Sequence, residues 1–424
     1  GNATILTLVL LGTGSNLDLA GTLTVSALVS LPDTNSFISV TSGALVAGSV
    51  SLGGFQAFVD ASAGGMTVSG ATTIAGNRAF VDASGAGLKS FGAVTISGAQ
   101  AFLQHGGGTS GPISLSSSAL WEATGPVTVS GSPAASVQGT ASLSTTGAGP
   151  APVVFNGDVL LGGADGRLIP NTADAGFTIN GNLLLTGSGR LEMLQVTDTV
   201  RVNGSVSFGG ADETGSLTAG ALFVTGNFTQ TGVSTSFVGS GGHTVFLNGA
   251  GVQTLNFASP GFAASRFHNV IIANSAGGVT AASDLYATGT AGVTPTAVRT
   301  LSGNGSTLFT TILNVSNFTF NNLLLNFTGS TVVTFDTVTF QGYAPTATPL
   351  TIAHPGAAAP LAFLDVSFSV VPTSGFYISA TDTNPTDGVP LVIDMVSPSP
   401  ADPAGRGQTA GGDAVKWSGA APVI

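Results

Sequence analysis

The sequence contains no cysteine and little charge. Charged residues make up 7% of its 424 positions, against about a quarter in typical soluble domains. The absence of cysteine fits an exported protein that folds without forming disulfides. Only 9 Lys and Arg residues stand against 20 Asp and Glu residues, and the bases form no cluster. Because nucleic-acid binding needs a positive surface, we expect no nucleic-acid partner.

Long apolar runs and helical periodicity are missing as well. No apolar run reaches about 18 residues, the length at which a membrane-spanning helix is considered, so we expect no transmembrane segment. Gly, Ser, Thr and β-branched residues dominate, and apolar residues mostly recur with a period of two, which is typical of strands. Val, Leu, Ile and Phe are plentiful, unlike in disordered chains. The composition therefore predicts an ordered, all-β protein.

A repeat of 22 residues organises residues 55–104. The hexapeptide AFVDAS occurs at 57–62 and again at 79–84, and a third copy, AFLQ, begins 22 residues later at Ala101. A second strand-like run, TTIAG at 72–76, returns as VTISG at 94–98. A period in the low twenties is the signature of a solenoid built from short strands. Because no six-residue repeat of the left-handed type is visible, we predict a right-handed parallel β-helix with coils of about 22–24 residues.

Two side-chain ladders follow from this period, because residues one coil apart lie directly above one another. The first is predicted to be an inward-facing stack of Phe58, Phe80 and Phe102, with Val59, Val81 and Leu103 on the neighbouring position. The second is a row of asparagines in Asn-Gly dipeptides, at Asn156, Asn180, Asn203 and Asn248. Their amides can hydrogen-bond to the coils above and below. The glycines are expected at turns with positive φ.

Proline usage suggests three segments. Residues 1–20 are predicted to form an N-terminal cap or assembly strand, and residues 21–340 the β-solenoid itself. Residues 341–424 hold 11 of the 20 prolines. Since proline suits edges and turns rather than central strands, we interpret this part as a β segment with longer loops that closes the stack.

One pair of acids is a candidate metal site. Asp60 and Asp82 occupy equivalent positions on adjacent coils, so their carboxylates should lie about 5 Å apart and repel unless a cation separates them. Calcium prefers such oxygen ligands. The next coil carries Gln104 there, so the acidic ladder is expected to stop at two. The alternative is a pair of solvated acids on a turn.

No motif in the sequence indicates catalysis. The Asp60/Asp82 pair has the separation used in glycoside hydrolysis, but no arginine or further acid repeats beside it. The four histidines are scattered without metal-ligand spacing. No phosphate-binding loop, nucleophile elbow or dinucleotide fingerprint occurs. We therefore expect no enzyme activity, no catalytic residues and no cofactor, with calcium as the one candidate ligand.

The coil period, the Asn-Gly turns and segments such as VQTLNFASPGFAASRFHNVIIANSAGGVT (252–280) resemble the β-strand-repeat regions of very large bacterial surface proteins. Filamentous-haemagglutinin-like adhesins and autotransporter passengers share this style. The resemblance covers most of residues 20–340. It implies secretion, an extracellular location at the bacterial cell surface, and structural or adhesive work.

The sequence favours a structural subunit that assembles head-to-tail into a filament, sheath or surface layer, with other copies of itself as partners. The stretch 5–11 is apolar and has no charged neighbour before Asp18. We expect Ile5, Leu6, Leu8 and Leu10 to be buried against a neighbouring subunit, because an open strand edge invites pairing. Cell-surface glycans are a second candidate partner. The alternatives are an adhesin or autotransporter-like stalk and, third, a polysaccharide-processing β-helix, which a basic or aromatic groove would favour.

Overall fold

The computed structural model describes residues 1–85, 87–146, 152–170, 176–293, 299–303, 306–321, 323–327 and 333–341, and the strands at 350–354, 361–368, 377–382, 392–395, 406–408 and 416–418. These residues form parallel strands stacked as a β-solenoid of about 13 turns, with no helix among them. The predicted all-β solenoid is confirmed. The right-handed sense of its coil stays a prediction.

By its internal contacts the chain forms two compact units, Gly1–Ala221 and Leu222–Ile424. The predicted division into three segments stays a prediction. The strands up to the end of the first unit are β1 (Ala3–Val9), β2 (Asn16–Leu19), β3 (Leu23–Leu31), β4 (Phe37–Val40), β5 (Ala44–Leu52), β6 (Phe58–Asp60), β7 (Gly65–Val68), β8 (Thr72–Ile74), β9 (Phe80–Ala83), β10 (Lys89–Phe91), β11 (Val94–Ile96), β12 (Phe102–His105), β13 (Gly108–Ser110), β14 (Ile113–Leu115), β15 (Leu120–Ala123), β16 (Val127–Ser130), β17 (Ala135–Val137), β18 (Ser142–Thr145), β19 (Val153–Asn156), β20 (Val159–Leu161), β21 (Arg167–Pro170), β22 (Phe177–Ile179), β23 (Leu183–Leu185), β24 (Arg190–Leu191), β25 (Thr199–Val202) and β26 (Val206–Phe208).

Each coil of the first unit contributes strands to three faces. The first face runs through β7, β10, β13, β16, β19, β22 and β25, and the second through β8, β11, β14, β17, β20, β23 and β26. In the opening coils the long strands β1, β3 and β5 span both, since β5 pairs with β7 and with β8. The third face is a nine-stranded sheet of β2, β4, β6, β9, β12, β15, β18, β21 and β24.

The coil length varies around the predicted period. Residues paired on neighbouring coils are 22 apart at Phe58 and Phe80, 18 apart at Gln104 and Glu122, and 25 apart at Ser142 and Arg167. Short strands tolerate this variation because the turns absorb the extra or missing residues while the strand register continues. The stack therefore continues through 106–146, where the sequence repeat is hard to see.

The phenylalanine ladder lies on the outside of the coil, so its predicted inward orientation is wrong. Phe58, Phe80 and Phe102 are half-buried, whereas Val59 and Val81 are fully buried. Successive residues of a strand point to opposite faces, and the interior of these coils takes the valines. Outside, the rings of Phe37, Phe58 and Phe80 stack flat at 4.8 Å, with interplanar angles of 2–3°. Phe102 pairs with Phe80 in the same strand register.

The orientation of this ladder has a measurable consequence for stability. We expect Phe80→Ala to lower the free energy of unfolding by about 1 kcal/mol, because it removes one cross-strand contact at a half-exposed position. Val81→Ala removes fewer atoms but leaves a cavity in the core, and should cost about 2 kcal/mol. Chemical denaturation of both variants gives the comparison. A larger loss for Phe80→Ala would place that ring in the core.

The second unit continues with parallel strands only. From β27 onward the strands are β27 (Ala221–Val224), β28 (Phe228–Gln230), β29 (Thr244–Leu247), β30 (Gln253–Phe257), β31 (Asn269–Ile272), β32 (Val279–Ala281), β33 (Leu285–Val293), β34 (Arg299–Ser302), β35 (Thr307–Asn321), β36 (Leu324–Phe327), β37 (Val333–Gln341), β38 (Leu350–His354), β39 (Leu361–Phe368), β40 (Tyr377–Asp382), β41 (Val392–Met395), β42 (Arg406–Gln408) and β43 (Lys416–Ser418). One line of pairing joins β35, β37, β39, β41 and β43, and another joins β36, β38, β40 and β42.

The interior of the second unit is rich in aromatic rings. Phe228, Phe237, Phe257 and Phe267 lie with ring centroids 4.8–6.1 Å apart, mostly tilted or edge-to-face, the arrangements that aromatic pairs prefer. Farther along the chain, aliphatic residues with Phe318 and Phe320 enclose a cavity of about 20 Å³. Its apolar lining gives a water molecule no polar partner, so it is a packing defect rather than a ligand site.

Candidate assembly surface and side-chain ladders

The first coil presents an open strand edge. Among the described strands, β1 pairs only with β3, and β2 pairs only with β4. Successive residues of a strand direct their N–H groups to opposite edges. Since the Ala3 N–H is donated to Thr22 on the next coil, the Thr4 N–H points to the open side. An unpaired row of N–H and C=O groups is a template for adding another strand.

The core is uncovered at the same place. The inward-facing residues of the first coil are only half-buried, and they are Ile5, Leu8, Leu10, Leu17 and Leu19. Their counterparts one coil on are buried, and they are Val25, Val29, Leu31, Ile38 and Val40. Leu6 points outward and is 72% exposed. The four residues predicted to mediate assembly therefore lie on an apolar end surface, three of them over the open core.

Little charge protects this surface. Asp18 and Asp33 are the only charged side chains in residues 1–36, and one oxygen of Asp33 accepts the Gly12 N–H at 2.6 Å. Solenoid ends and sheet edges usually carry charges or a cover that prevents pairing. The described first coil has neither, so contact with a further coil would bury its apolar residues without desolvating a charged group.

The Asp60 and Asp82 side chains face outward on paired residues of the third face. Each carboxylate is held in the same way: Asp60 Oδ1 accepts the N–H and the hydroxyl of Ser62 at 2.9 and 2.6 Å, and Asp82 Oδ1 accepts those of Ser84 at the same distances. Both acids therefore cap the turn that follows their strand. Calcium binding by this pair stays a prediction.

Polar and acidic side chains continue in register beyond the two aspartates. Gln104 pairs with Asp82, and Glu122 pairs with Gln104. The Gln104 side-chain amide donates to Glu122 Oε2 at 2.8 Å. The Gln104 side chain thus lies between Glu122 and the two aspartates, and its amide gives Glu122 a hydrogen-bond donor. The expectation that the column stops at two acids missed Glu122, because the coil between them has 18 residues rather than 22.

A buried lysine lies behind the acidic column. Lys89 is 1% exposed and donates to the carbonyls of Ala61 and Gly64. It pairs with Met66 in the core, and burial lowers the pKa of its ammonium group, against the attraction of Asp82 and Asp60. Sequence reasoning missed this residue because nothing in a strand pattern distinguishes an inward lysine from an outward one. The lysine supplies positive charge beside the two aspartates.

The asparagine ladder forms within the first unit. The Asn180 amide donates to Asn156 Oδ1, and the Asn203 amide donates to Asn180 Oδ1, each at 2.8 Å. A parallel ladder runs beside it, in which Asp158 Oδ1 accepts from Asn182, and Asn182 Oδ1 accepts the Ser205 N–H at 2.8 Å. The fourth predicted member, Asn248, belongs to the second unit, and its buried Oδ1 has no hydrogen-bond partner among the described residues.

The glycines of these Asn-Gly dipeptides serve close packing, and the predicted positive φ is wrong for them. None of Gly157, Gly181 and Gly204 has a positive φ. A Cβ atom on Gly157 would lie 2.1 Å from the Gly131 carbonyl oxygen, and one on Gly204 would lie 2.4 Å from that of Gly181. Both distances are far below contact, so a side chain would push neighbouring coils apart.

We expect Asn180→Ala to lower the free energy of unfolding by about 1–2 kcal/mol, because it breaks the ladder hydrogen bonds on both sides. The Asn156→Ala variant is the matched control, since Asn156 stands at the acceptor end and makes one ladder bond. Its loss should be about half as large. Thermal or chemical denaturation distinguishes the two, and equal losses would argue against a hydrogen-bonded ladder.

The nine-stranded sheet ends at a buried glutamic acid. Glu213 is fully buried, and its Oε1 accepts the N–H of Leu191 on β24 at 3.0 Å, where a further strand would supply a carbonyl oxygen. Its Oε2 has no partner among the described residues. Burial raises the pKa of Glu213 to about 8, against the opposing effect of that hydrogen bond. Glu213 therefore caps the sheet as a neutral acid at pH 7.

An ion-pair network marks the outer side of the same end. Arg167 contacts Asp165 and lies 3.1 Å from Glu192, and Arg190 Nε lies 3.4 Å from Asp165 Oδ1. The side chain of Arg167 is about one-third exposed. Two arginines that pair on adjacent strands would repel each other, and the acids between them remove that repulsion. The network therefore balances two positive charges with two negative ones on this surface.

No cluster of three or more His, Cys, Asp or Glu residues suited to holding a metal ion occurs within the described ranges. His105 and His243 are fully buried, and burial lowers the pKa of each to about 4. His105 packs between Phe91 and Trp121, and Trp121 is itself fully buried. In the part of the chain that the structure covers, no helix is long and apolar enough to cross a membrane.

Comparison of the chain with protein-family models, with curated proteins and with solved structures finds no match.

Proposed function

We propose that the chain is a structural β-solenoid subunit that assembles head-to-tail through its first coil into an extracellular filament, sheath or layer. The observation that supports this most strongly is the open end itself, where one unpaired strand edge coincides with a half-exposed apolar core. A further coil would pair with this strand edge and cover the apolar core at the same time. The resemblance to bacterial surface repeat proteins supports a location at the bacterial cell surface.

Head-to-tail growth requires a complementary edge at the other end of the stack. Among the described strands, β42 pairs only with β40, and β43 pairs only with β41. An edge of this kind that meets the open side of β1 on another copy extends the parallel ladder. The two contacting surfaces differ, so each subunit can bind the next one head-to-tail. Such a contact gives an open filament unless the rotation between successive subunits closes it into a ring.

The first test alters the uncovered core. Leu8 is half-buried at the open end, so Leu8→Lys should leave the subunit folded but place a charge in the contact. We expect this variant to remain monomeric at concentrations at which the wild type forms filaments. Leu88→Lys is the matched control, because Leu88 is 74% exposed and lies away from the first coil. Light scattering and negative-stain microscopy report assembly.

A second variant addresses the strand edge. Thr4→Pro removes the N–H that points to the open side without removing a hydrogen bond to β3, and proline is tolerated at such an edge. It should block assembly, whereas Thr4→Val should not. Filaments formed equally by Thr4→Pro and Leu8→Lys would contradict the proposed role of the first coil, and a wild-type protein that never assembles would contradict the filament itself.

A further inference from the structure

A cluster of three aromatic rings lies on the outer surface of the second unit. Tyr286 and Phe309 pair on adjacent strands, and their rings stack at 4.3 Å with an interplanar angle of 8°. Phe262 lies 4.8 Å from Tyr286 and 6.3 Å from Phe309, with its plane perpendicular to that of Tyr286 and nearly so to that of Phe309. These three distances form an almost right-angled triangle, so Phe262 stands beside the edge of Tyr286 rather than on top of the stack.

This arrangement leaves part of Phe262 exposed to solvent. The edge of Tyr286 covers one side of Phe262, and Phe262 is nevertheless 40% exposed. In the ladder of Phe37, Phe58 and Phe80, by contrast, both faces of the middle ring are covered by its neighbours. A ligand that stacks on aromatic faces can therefore use Phe262 but not Phe58.

A short loop holds Phe262 in place. Pro260 and Ser265 form a bridge across it, and the Gly261 N–H is donated to the Ser265 carbonyl at 3.1 Å. The Ala264 N–H is donated back to Gly261 at 3.0 Å. The loop lengthens its coil, because the bridge between Val238 and Arg266, which spans the loop, joins residues 28 positions apart rather than 22. It is thus a rigid departure from the repeat, and a ring fixed in advance loses little entropy on binding.

Polar side chains lie on the strand that carries Tyr286 and on the strand paired with it. Arg266 and His268 precede and follow Phe267, which bridges to Ala287 on the strand that carries Tyr286 and Thr288. His268 Nδ1 lies 3.1 Å from the Thr288 hydroxyl. The Arg266 guanidinium has five N–H groups. One of them donates to the Ala264 carbonyl at 3.2 Å. The Tyr286 hydroxyl can both donate and accept.

We propose that Phe262, Tyr286 and Arg266 form a carbohydrate-binding site. A pyranose ring presents C–H groups on one face and hydroxyls around its rim. The C–H face stacks on Phe262, because the face of an aromatic ring carries negative charge density, while the hydroxyls meet Arg266 and the Tyr286 hydroxyl. The chain carries a net charge of −11, which repels acidic glycans. The ligand class is therefore a neutral oligosaccharide, and the site does not depend on filament assembly.

The test is binding of the intact protein to an array of neutral oligosaccharides, followed by titration of the best ligand using NMR. We expect Phe262→Ala to weaken binding at least about tenfold, the effect of losing roughly 1.4 kcal/mol of contact. Phe55→Ala is the matched control, because Phe55 is 44% exposed but belongs to the first unit. Its binding should equal that of the wild type. Tyr286→Phe should weaken binding by a smaller factor.

Three results would overturn this proposal: no neutral glycan binds, Phe262→Ala binds as well as the wild type, or both phenylalanine variants lose binding equally. The Leu8→Lys variant separates this site from assembly. A monomeric Leu8→Lys protein that still binds the glycan supports the site independently of the filament. Loss of glycan binding in that variant would mean that the ligand requires the assembled form and would contradict a site contained in one subunit.

Discussion

The contribution of one residue, Glu213, to the free energy of unfolding is expected to fall by on the order of 4 kcal/mol between about pH 4.5 and pH 8. Burial raises its pKa in the folded protein to about 8, from an ordinary value of 4.5. The folded state therefore holds a proton that the unfolded state has lost. By linkage, the contribution of Glu213 is complete below pH 4.5, declines as the pH rises, and is lost above the folded pKa.

The structural reason is the position of Glu213 at the end of the nine-stranded sheet. Above pH 8 the carboxylate would be a buried charge, with hydrogen bonds from the Leu191 N–H and the Ser216 side chain but no partner for Oε2 among the described residues. Glu213→Gln keeps an oxygen for Leu191 and cannot ionise. We expect this variant to be more stable than the wild type at pH 8–9 and to show a flatter pH dependence above pH 6.5.

Urea denaturation across this pH range measures the effect, with Glu122→Gln as the control. Glu122 lies on the outer surface of the same sheet and accepts a hydrogen bond from Gln104. Its replacement should leave the slope of stability against pH unchanged. A wild-type stability that is constant between pH 6.5 and 9, or a Glu213→Gln variant with an unaltered slope, would contradict the cap.

At acidic pH the opposite slope is expected, and His243 is its main source in the second unit. Burial lowers the pKa of His243 to about 4, from 6.5. Between these two values the imidazole is protonated in the unfolded state and neutral in the folded state. The contribution of His243 to stability is therefore complete above pH 6.5 and is lost as the pH falls through 4. The loss amounts to about 3 kcal/mol. His105 contributes in the same direction in the first unit.

Neither ring nitrogen of His243 has a hydrogen-bond partner among the described residues, and the ring contacts Phe237 at 6.0 Å. An unpartnered buried polar group costs about 1–3 kcal/mol. We therefore expect His243→Leu to raise the free energy of unfolding at pH 7 by about that amount. Its advantage over the wild type should grow as the pH falls from 6.5 to 4. A variant less stable than the wild type at pH 5 would show that the imidazole has a partner in solution.

The repeat period made the fold predictable, because a solenoid places each residue above its counterpart and the sequence preserves that correspondence. AFVDAS at 57–62 and 79–84 appears as strands β6 and β9 in register from Phe58 to Asp60. The Asn-Gly dipeptides likewise marked a real ladder at Asn156, Asn180 and Asn203. In both cases the signal was a motif that recurs at a fixed spacing of one coil, which is longer than the range over which local backbone preferences act.

Which face a residue occupies was harder to predict. AFV places an alanine, a phenylalanine and a valine in succession, and alternation alone leaves two assignments. Hydrophobicity favours a buried phenylalanine, but the structure buries Ala57 and Val59 and stacks the rings outside. The coils around Phe58 bury the aliphatic column, while flat stacking at the strand spacing covers both faces of Phe58 on the outside. Ring size does not decide this, because the inward column takes Trp121 one coil after Leu103, and the alternation in the sequence does not distinguish the two assignments.

The buried charged and polar residues could not be predicted either. Lys89, Glu213 and Trp121 all lie in the interior. Each occupies a place where the repeat changes length or ends, such as the 18-residue coil between Gln104 and Glu122. A residue's environment there depends on how neighbouring coils shift, which a fixed period does not describe. The site around Phe262 was missed for the same reason, because its loop is an insertion into the repeat.

The most direct test of the account is a cryo-electron microscopy reconstruction of the purified protein at high concentration. We expect filaments in which a strand of a neighbouring subunit pairs in parallel with the open side of β1, at the spacing of about 4.8 Å between strands. The side chains of Ile5, Leu8 and Leu10 should be as buried as those of the next coil. Separate subunits with β1 unpaired, or filaments joined through another surface, would contradict assembly through the first coil.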